Sequence, residues 1–182
     1  MKPKIIAIVG PIRAGKSTVS RCLANRHGYT LASNSDILRD IAAKLHLPSD
    51  RTNLKRIGDA IFSTLGNDTL ARFRLAHAKF PTVIDGVRYL EEVATFRRDR
   101  SFKLLGVVAN DDTRYLRAMA LATEGKDTNL TRSEFDDLPK ARSEVEVNDL
   151  LRQADYVISN DSSIQQLETT LAELIKKWSA VA

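Results

Sequence analysis

Short apolar runs alternate along the chain with segments in which apolar residues recur at helical spacing. Five of these runs predict β-strands, at residues 4–9, 29–32, 82–85, 103–109 and 155–159. The last three are apolar without alternation, which is typical of strands covered on both faces. Strands that alternate with helices predict an α/β fold with a mostly parallel, doubly wound sheet and right-handed crossovers. In such a sheet, ligands bind beyond the carboxyl ends of the strands.

Two longer segments interrupt this alternation within one predicted domain, residues 1–182. The first, at about residues 34–79, is a helical insert with an apolar stripe of Leu54, Ile57, Ile61 and Leu65. Gly66 is predicted to end that helix and Asp68 to begin the next. The second, at about residues 111–153, is polar. The last predicted helix carries a core stripe of Ile164, Leu167, Leu171, Leu174, Ile175 and Trp178.

The turn after the first strand fits the phosphate-binding pattern G-x-x-x-x-G-K-[ST], and it reads Gly10-Pro11-Ile12-Arg13-Ala14-Gly15-Lys16-Ser17. A strand before it and a helix after it are the context that the pattern requires. The backbone N–H groups of such a loop and the N-terminus of the helix bind phosphate. Lys16 is predicted to act catalytically by bridging the β- and γ-phosphates of ATP, and Ser17 to ligate Mg²⁺. The predicted ATP contacts in this loop are Gly10, Arg13, Ala14, Gly15, Lys16, Ser17 and Thr18.

The third predicted strand ends in Asp85, which Gly86 and Arg88 follow. A carboxylate at this position lies beside the glycine-rich loop and predicts a second Mg²⁺ ligand at the substrate site. Gly86 permits close approach of backbone and ligand. Arg88 is predicted to bind a second anion and to act in catalysis, because a planar guanidinium suits a phosphate there. The alternative is a surface arginine that pairs with Glu91 or Glu92.

Asp36 and Arg39 follow the second predicted strand, one helical turn apart. Ser33, Asn34 or Ser35 is predicted to cap their helix. Arg39 is predicted to bind the phosphate of an acceptor substrate. Asp36 is predicted to position the acceptor or the metal, or to serve as the general base for a hydroxyl acceptor. The alternative for Asp36 is a capping carboxylate in a local ion pair.

The second insert combines arginines with a polar, glycine-containing stretch at residues 123–127. Phosphoryl transfer between two anions needs positive charge over the transferring group and the exclusion of water. A basic lid supplies both, and this insert is predicted to be one. Its predicted catalytic residues are Arg114, Arg117 and Arg132, and Arg142 is a predicted substrate contact. The alternative is a solvated helical hairpin whose charges pair locally, Arg142 with Glu146 for example.

Composition narrows the class of protein. With 43% hydrophobic and 28% charged residues, the chain is typical of a globular protein, and no apolar run is long enough to span a bilayer. The first strand leaves no room for a signal peptide, and Cys22 is the only cysteine; both features predict a reducing cytoplasm. The net charge of +5 suits a polyphosphate pocket or a nucleic-acid surface. The basic residues are scattered, which favours the pocket.

Four blocks of the sequence resemble P-loop kinases of the nucleoside monophosphate kinase group. They are the glycine-rich loop, SDILR at residues 35–39, VIDGVR at residues 83–88 and ADYVISND at residues 154–161. Within that group the chain is most similar to adenylate-kinase-related and dephospho-CoA-kinase-like proteins. With arginine at position 13, the glycine-rich loop resembles that of phage-type deoxynucleoside monophosphate kinases, whereas adenylate kinases usually carry glycine at that position.

The resemblance implies that Arg39 and Arg88 hold the acceptor phosphate and that Arg114 or Arg117 begins the lid. It also implies that residues 160–163, beginning with Asn160, lie near the base of ATP. The predicted activity is transfer of the γ-phosphoryl group from ATP, with Mg²⁺, to a (deoxy)nucleoside monophosphate. One alternative is a hydroxyl-directed kinase of the dephospho-CoA or nucleic-acid type. The other is a nucleotide-dependent switch without small-molecule transfer.

Overall fold

A computed structural model describes residues 2–123, 131–137 and 144–180. Five parallel strands form one sheet in the order β2-β3-β1-β4-β5. The elements in chain order are β1 (Ile5–Val9), α1 (Lys16–His27), β2 (Thr30–Ser33), α2 (Asn34–Lys44), α3 (Arg51–Leu65), α4 (Thr69–His77), β3 (Thr82–Asp85), α5 (Leu90–Phe96), β4 (Phe102–Val108), α6 (Asp111–Thr123), α7 (Arg132–Asp137), α8 (Val147–Arg152), β5 (Tyr156–Ser159) and α9 (Ile164–Ala180). The predicted α/β fold with a five-stranded parallel sheet is confirmed.

Strand β1 lies at the centre of the sheet, and all of its residues are fully buried. Ile6 and Ile8 pack on one face in a cluster with residues of α1 and α9. Ile5, Ala7 and Val9 pack on the other face with residues of α4, α5 and α8. Because both faces are covered, the strand is apolar throughout, and its carboxyl end directs the glycine-rich loop to the edge where ligands bind.

The helical insert after β2 contains α2, α3 and α4. Three residues of the predicted stripe pack in a separate apolar cluster with α2 and α4, namely Leu54, Ile57 and Ile61. Leu65 does not join them and is 60% exposed, because it is the last residue of α3 and lies past the cluster. Gly66 follows it at φ 97° and ends the helix, and Asp68 is the N-cap of α4, both as predicted.

The C-terminal helix α9 buries five of its six predicted stripe residues: Leu167, Leu171, Leu174, Ile175 and Trp178. Ile164 is 59% exposed, because it is the first residue of α9 and precedes the part of the helix that packs on the sheet. In the second insert, residues 124–127 of the polar, glycine-containing stretch lie outside the described residues, as does Arg142. Within the described ranges, no helix is both long and apolar enough to cross a membrane.

Candidate active site

The glycine-rich loop between β1 and α1 is held against two neighbours that leave no room for side chains. A Cβ on Gly10 would lie 2.0 Å from the carbonyl oxygen of Val107 in β4. A Cβ on Gly15, which has φ 97°, would lie 2.0 Å from Nδ2 of Asn160. Glycine is therefore required at both positions by close approach, and at Gly15 by a left-handed backbone as well.

Arg13 also has a left-handed backbone, with φ 63°, although it is not glycine. Its guanidinium is half-buried, and burial followed by the charge of Arg51 lowers the pKa of the group. A left-handed conformation costs an L-residue free energy that glycine does not incur. The glycine usual in adenylate kinases at this place therefore matches the backbone better than the arginine of this chain.

We expect Arg13→Gly to raise the free energy of unfolding by about 0.5–1 kcal/mol, since relief of the left-handed strain exceeds the added entropy of the unfolded chain. Thermal and urea unfolding measure the effect. His46, with φ 55° in the turn after α2, provides the matched control, because His46→Gly changes the same backbone property away from the loop. A less stable Arg13→Gly beside a more stable His46→Gly would show instead that contacts of the guanidinium outweigh the strain.

Lys16 is the first residue of α1, and its ammonium donates to the carbonyl oxygens of Gly10 at 2.7 Å and Pro11 at 2.9 Å. The pKa of Lys16 is lowered to about 8, mainly by burial; the charge of Arg88 contributes in the same direction, while Glu144 and Asp85 oppose the shift. The N-cap, Gly15, provides no side-chain acceptor for the first turn. The amides of that turn and the positive end of the helix dipole therefore suit a bound anion.

A cleft of about 500 Å³ opens beside Lys16. It lies between the loop, the start of α2, one face of α3 and the segment that joins β3 to α5. The structure brings six predicted site residues together in its lining: Lys16, Ser17, Arg39, Asp85, Gly86 and Arg88. These residues are separated by up to 72 positions along the chain. They meet because the ends of β1, β2 and β3 lie at the same edge of the sheet.

Arg88 lines this cleft, and both its backbone and its side chain make hydrogen bonds to glutamates. Its guanidinium Nη1 lies 2.6 Å from Oε1 of Glu144, a carboxylate that is nearly buried. Its backbone N–H donates to Oε2 of Glu92 at 2.9 Å. Glu92, one partner of the predicted alternative, thus accepts from the backbone N–H of Arg88, while the guanidinium pairs with Glu144.

Glu92 is a buried residue of the cleft that the sequence did not single out for the site. Its carboxylate is 1% exposed and accepts from the N–H groups of Arg88 and Tyr89 and from Nδ2 of Asn34 at 2.7 Å. Burial raises the pKa of Glu92, and its hydrogen bonds oppose that shift. Glutamate at the third position of a helix, where it accepts the N-terminal amides, is the sequence signal for this arrangement.

One whole face of α3 lines the cleft and was also missed from the sequence. Its residues there are Arg51, Leu54, Lys55, Gly58, Asp59 and Phe62, at the spacing of a single helix face. Arg51 and Lys55 add two cations opposite the loop. Phe62 contacts Tyr89 edge to face, with ring centroids 4.8 Å apart, so the cleft has an aromatic wall. The polar residues Arg51, Lys55 and Asp59, which recur at helical spacing beside Leu54, are the sequence signal that could have indicated this face.

Asp36 lies at the third position of α2, where it forms a capping box with Ser33. Its Oδ2 accepts from the N–H of Ser33 at 3.1 Å, and its own N–H donates to Oγ of Ser33 at 3.2 Å. Its Oδ1 lies 2.9 Å from Nη1 of Arg39, and both side chains are about half exposed. Asp36 therefore has the contacts of the capping alternative, and its role as a base or positioning group stays a prediction.

The predicted lid arginines of α6 lie on the outer side of the loop. Arg114 and Arg117 donate to carbonyl oxygens of Ile12, Arg13 and Ala14, and Asn160 joins them there. Arg132, in α7, pairs instead with two carboxylates. Its guanidinium lies 2.8 Å from Asp112 and 3.1 Å from Asp136. The catalytic roles of these arginines and the substrate contact of Arg142 stay predictions.

The side chains that line the cleft also fit the predicted divalent cation. Ser17 offers a hydroxyl and Asp85 a carboxylate, and both line the cleft beside Lys16. Mg²⁺ prefers hard oxygen ligands and is usually held by one or two protein groups together with phosphate oxygens. This donor set therefore suits Mg²⁺ together with a polyphosphate.

The parallel sheet and its glycine-rich loop define the class of protein as an α/β P-loop NTPase. A family model described as an AAA domain, AAA_18, matches residues 6–138. The UPF0200 protein of Aeropyrum pernix is 30% identical over 170 residues, which are 90% of this chain and 88% of that protein. The chain belongs to the AAA_18 family and to the UPF0200 proteins.

Two solved structures are similar to the fold over nearly its whole length. The shikimate kinase of Bacteroides thetaiotaomicron has a TM-score of 0.62 at 16% identity and covers 97% of this chain and 98% of its own. The dephospho-CoA kinase of Campylobacter jejuni has a TM-score of 0.55 at 16% identity and covers 95% and 96%. The predicted P-loop kinase-like fold is thereby confirmed.

Proposed function

We propose that the protein is a phosphotransferase that uses ATP and Mg²⁺ and phosphorylates a (deoxy)nucleoside monophosphate. The observation that supports this most is the shared cleft. Lys16, Ser17 and Asp85 provide groups for a donor polyphosphate, and Arg39 and Arg88 line the same cavity. A nucleotide switch has no evident use for the additional cations Arg39 and Arg88.

On the donor side, Lys16 and the amides at the start of α1 bind the β- and γ-phosphates. Ser17 and Asp85 would hold Mg²⁺, which when bound neutralises part of the phosphate charge. The ammonium of Lys16 exchanges its bonds to the carbonyls of Gly10 and Pro11 for bonds to phosphate oxygens. Its charge then stabilises the oxygens of the transferring group, where negative charge is spread in the transition state.

On the acceptor side, Arg88 and Arg39 bind the attacking phosphate, and Arg51 and Lys55 add positive charge from α3. The aromatic wall of Phe62 and Tyr89 gives a flat apolar surface that suits a nucleobase. A phosphate oxygen is already an anion at pH 7 and needs no strong general base. The engagement of Asp36 by Ser33 and Arg39 supports this acceptor over a hydroxyl group.

Radiolabelled transfer tests the proposal. The protein is incubated with Mg²⁺ and ATP labelled at the γ-phosphate, together with each common ribo- and deoxyribonucleoside monophosphate, dephospho-CoA, shikimate and a short oligonucleotide. We expect a labelled diphosphate with at least one monophosphate. Labelling of a hydroxyl acceptor alone would favour the hydroxyl kinase, and Asp36→Asn would then abolish it. ATP binding without any labelled product would favour the switch.

A further inference from the structure

Three successive carbonyl groups on the outer side of the P-loop accept hydrogen bonds from side chains elsewhere in the chain. Nε of Arg114 donates to the oxygen of Ile12 at 2.8 Å. Nη1 of Arg117 lies 3.4 Å from the oxygen of Arg13 and 3.3 Å from that of Ala14. The Ala14 oxygen also accepts from Nδ2 of Asn160 at 2.9 Å.

These contacts fix the direction of the loop amides. In a planar trans peptide, the N–H of one residue is opposite to the carbonyl of the residue before it. A carbonyl of Ile12 that faces Arg114 therefore turns the N–H of Arg13 to the other side of the loop. The carbonyl of Ala14, held by Arg117 and Asn160, turns the N–H of Gly15 in the same way.

The three side chains are themselves held in place. Arg114 is 7% exposed, pairs with Asp111 at 2.7 Å and lies over the ring of Phe135 in α7 at 5.3 Å. Nη2 of Arg117 donates to the carbonyl oxygen of Asn160 at 2.7 Å. Asn160 is 6% exposed, and its N–H donates to the oxygen of Val108 at 2.7 Å.

Gly15 provides an independent sign that this packing is tight. A Cβ at Gly15 would lie 2.0 Å from Nδ2 of Asn160 and 3.6 Å from Nη1 of Arg117. Any side chain at that position would displace Asn160 first. The loop and the three side chains therefore form one closely packed unit, which we name the outer brace (Arg114, Arg117 and Asn160).

The geometry points to Arg114, Arg117 and Asn160 as positioning residues that act on phosphate through the loop rather than by touching it. By holding the carbonyls of Ile12 and Ala14 outward, the outer brace keeps the N–H groups of Arg13 and Gly15 turned toward the β-phosphate of the donor. The N–H of Ala14 is used within the loop, where it donates to the carbonyl oxygen of Pro11 at 3.2 Å. Because the brace reaches the loop from α6 and from the segment after β5, it also ties the second insert to the donor site. The inference rests on the proposed function only in that the loop binds a nucleoside polyphosphate.

Calorimetric titration with ADP and Mg²⁺ tests the brace without any acceptor. We expect Arg117→Met to weaken ADP binding by roughly 10- to 100-fold, because the amides that contact the β-phosphate lose their fixed direction. Asn160→Ala is expected to have a similar effect. The double variant should lose less than the product of the two single losses, because both side chains hold the same carbonyl.

Arg152→Met serves as the matched control, because Arg152 is 78% exposed and pairs with Asp149 on α8, away from the loop. It should bind ADP as the wild type does. Unchanged ADP affinity in Arg117→Met, with transfer lowered about 100-fold, would overturn the brace and show that Arg117 touches the transferring group. Loss of the folded circular dichroism spectrum in Arg117→Met would leave Asn160→Ala as the deciding variant. Failure of the wild type itself to bind ADP would overturn the proposed function together with the brace.

Discussion

Replacement of Lys16 by methionine is expected to lower phosphoryl transfer by at least about 100-fold, with the fold retained. Methionine keeps the length and apolar stem of the side chain but removes the ammonium that contacts Gly10 and Pro11. The loss falls mainly on turnover, because the charge is needed most where negative charge develops on the transferring group. Initial rates at saturating ATP and acceptor measure it, and circular dichroism checks the fold.

The pH dependence of ADP binding tests the same side chain. Because burial lowers the pKa of Lys16 to about 8, its charge is present below pH 8 and is lost as the pH rises through that value. Above about pH 7 the terminal phosphate of ADP is ionised, so that Lys16 is the group that titrates. ADP affinity should therefore be nearly constant from about pH 7 to just below pH 8 and fall above pH 8. A proton is taken up on binding there, since the bound phosphates raise the pKa of Lys16 again. Lys16→Arg keeps its charge at high pH and should show a flat profile. A wild-type profile that stays flat to pH 10 would contradict this assignment.

Replacement of Arg88 by methionine is expected to lower kcat/KM for the acceptor by about 10- to 100-fold, which corresponds to the loss of one charge-assisted contact from a partly buried side chain. Affinity for ADP should change little, because Arg88 lies on the acceptor side of the cleft. The variant also leaves the nearly buried Glu144 carboxylate without its guanidinium partner. For that reason, Arg88→Lys is included to retain a positive charge without the bidentate geometry.

Arg56→Met is the matched control for Arg88, since Arg56 is exposed on α3 and does not belong to the face that lines the cleft. Steady-state kinetics with the best acceptor of the labelled panel compare the three variants with the wild type. An acceptor KM and a turnover unchanged in Arg88→Met would show that the second anion binds elsewhere.

The parts of the fold that follow from local pattern could be predicted from the sequence. Strands β1, β3 and β4 are continuous apolar runs because they are covered on both faces. The prediction of the same coverage for β5 was wrong, because β5 is an edge strand and is mostly exposed despite its apolar sequence. Gly66 and Asp68 mark helix boundaries by their own backbone chemistry. The prediction that the buried apolar stripes include Leu65 and Ile164 was wrong, because both side chains are exposed. Periodicity alone does not show where a helix extends past the surface on which it packs.

The site itself was only partly accessible from sequence. Lys16, Ser17, Asp85 and Arg88 follow strands, and the parallel topology brings them to one edge. The direction of a side chain is a different matter, because it depends on neighbours far along the chain. Arg117 and Asn160 meet on Ala14 across more than 100 positions, and no local spacing encodes that contact. The cleft face of α3 depends likewise on how α3 packs against α2.

The most direct test of a donor site and an acceptor site in one cleft is the affinity of a bisubstrate compound. In that compound, ATP is joined through its γ-phosphate to the acceptor identified by the labelled panel. We expect it to bind at least about 100-fold more tightly than either ATP or the acceptor alone, because the second site is engaged at high effective concentration. Lys16→Met and Arg88→Met should each remove most of that gain. Affinity equal to that of ATP would contradict the account, since it would mean that the two anions do not bind side by side.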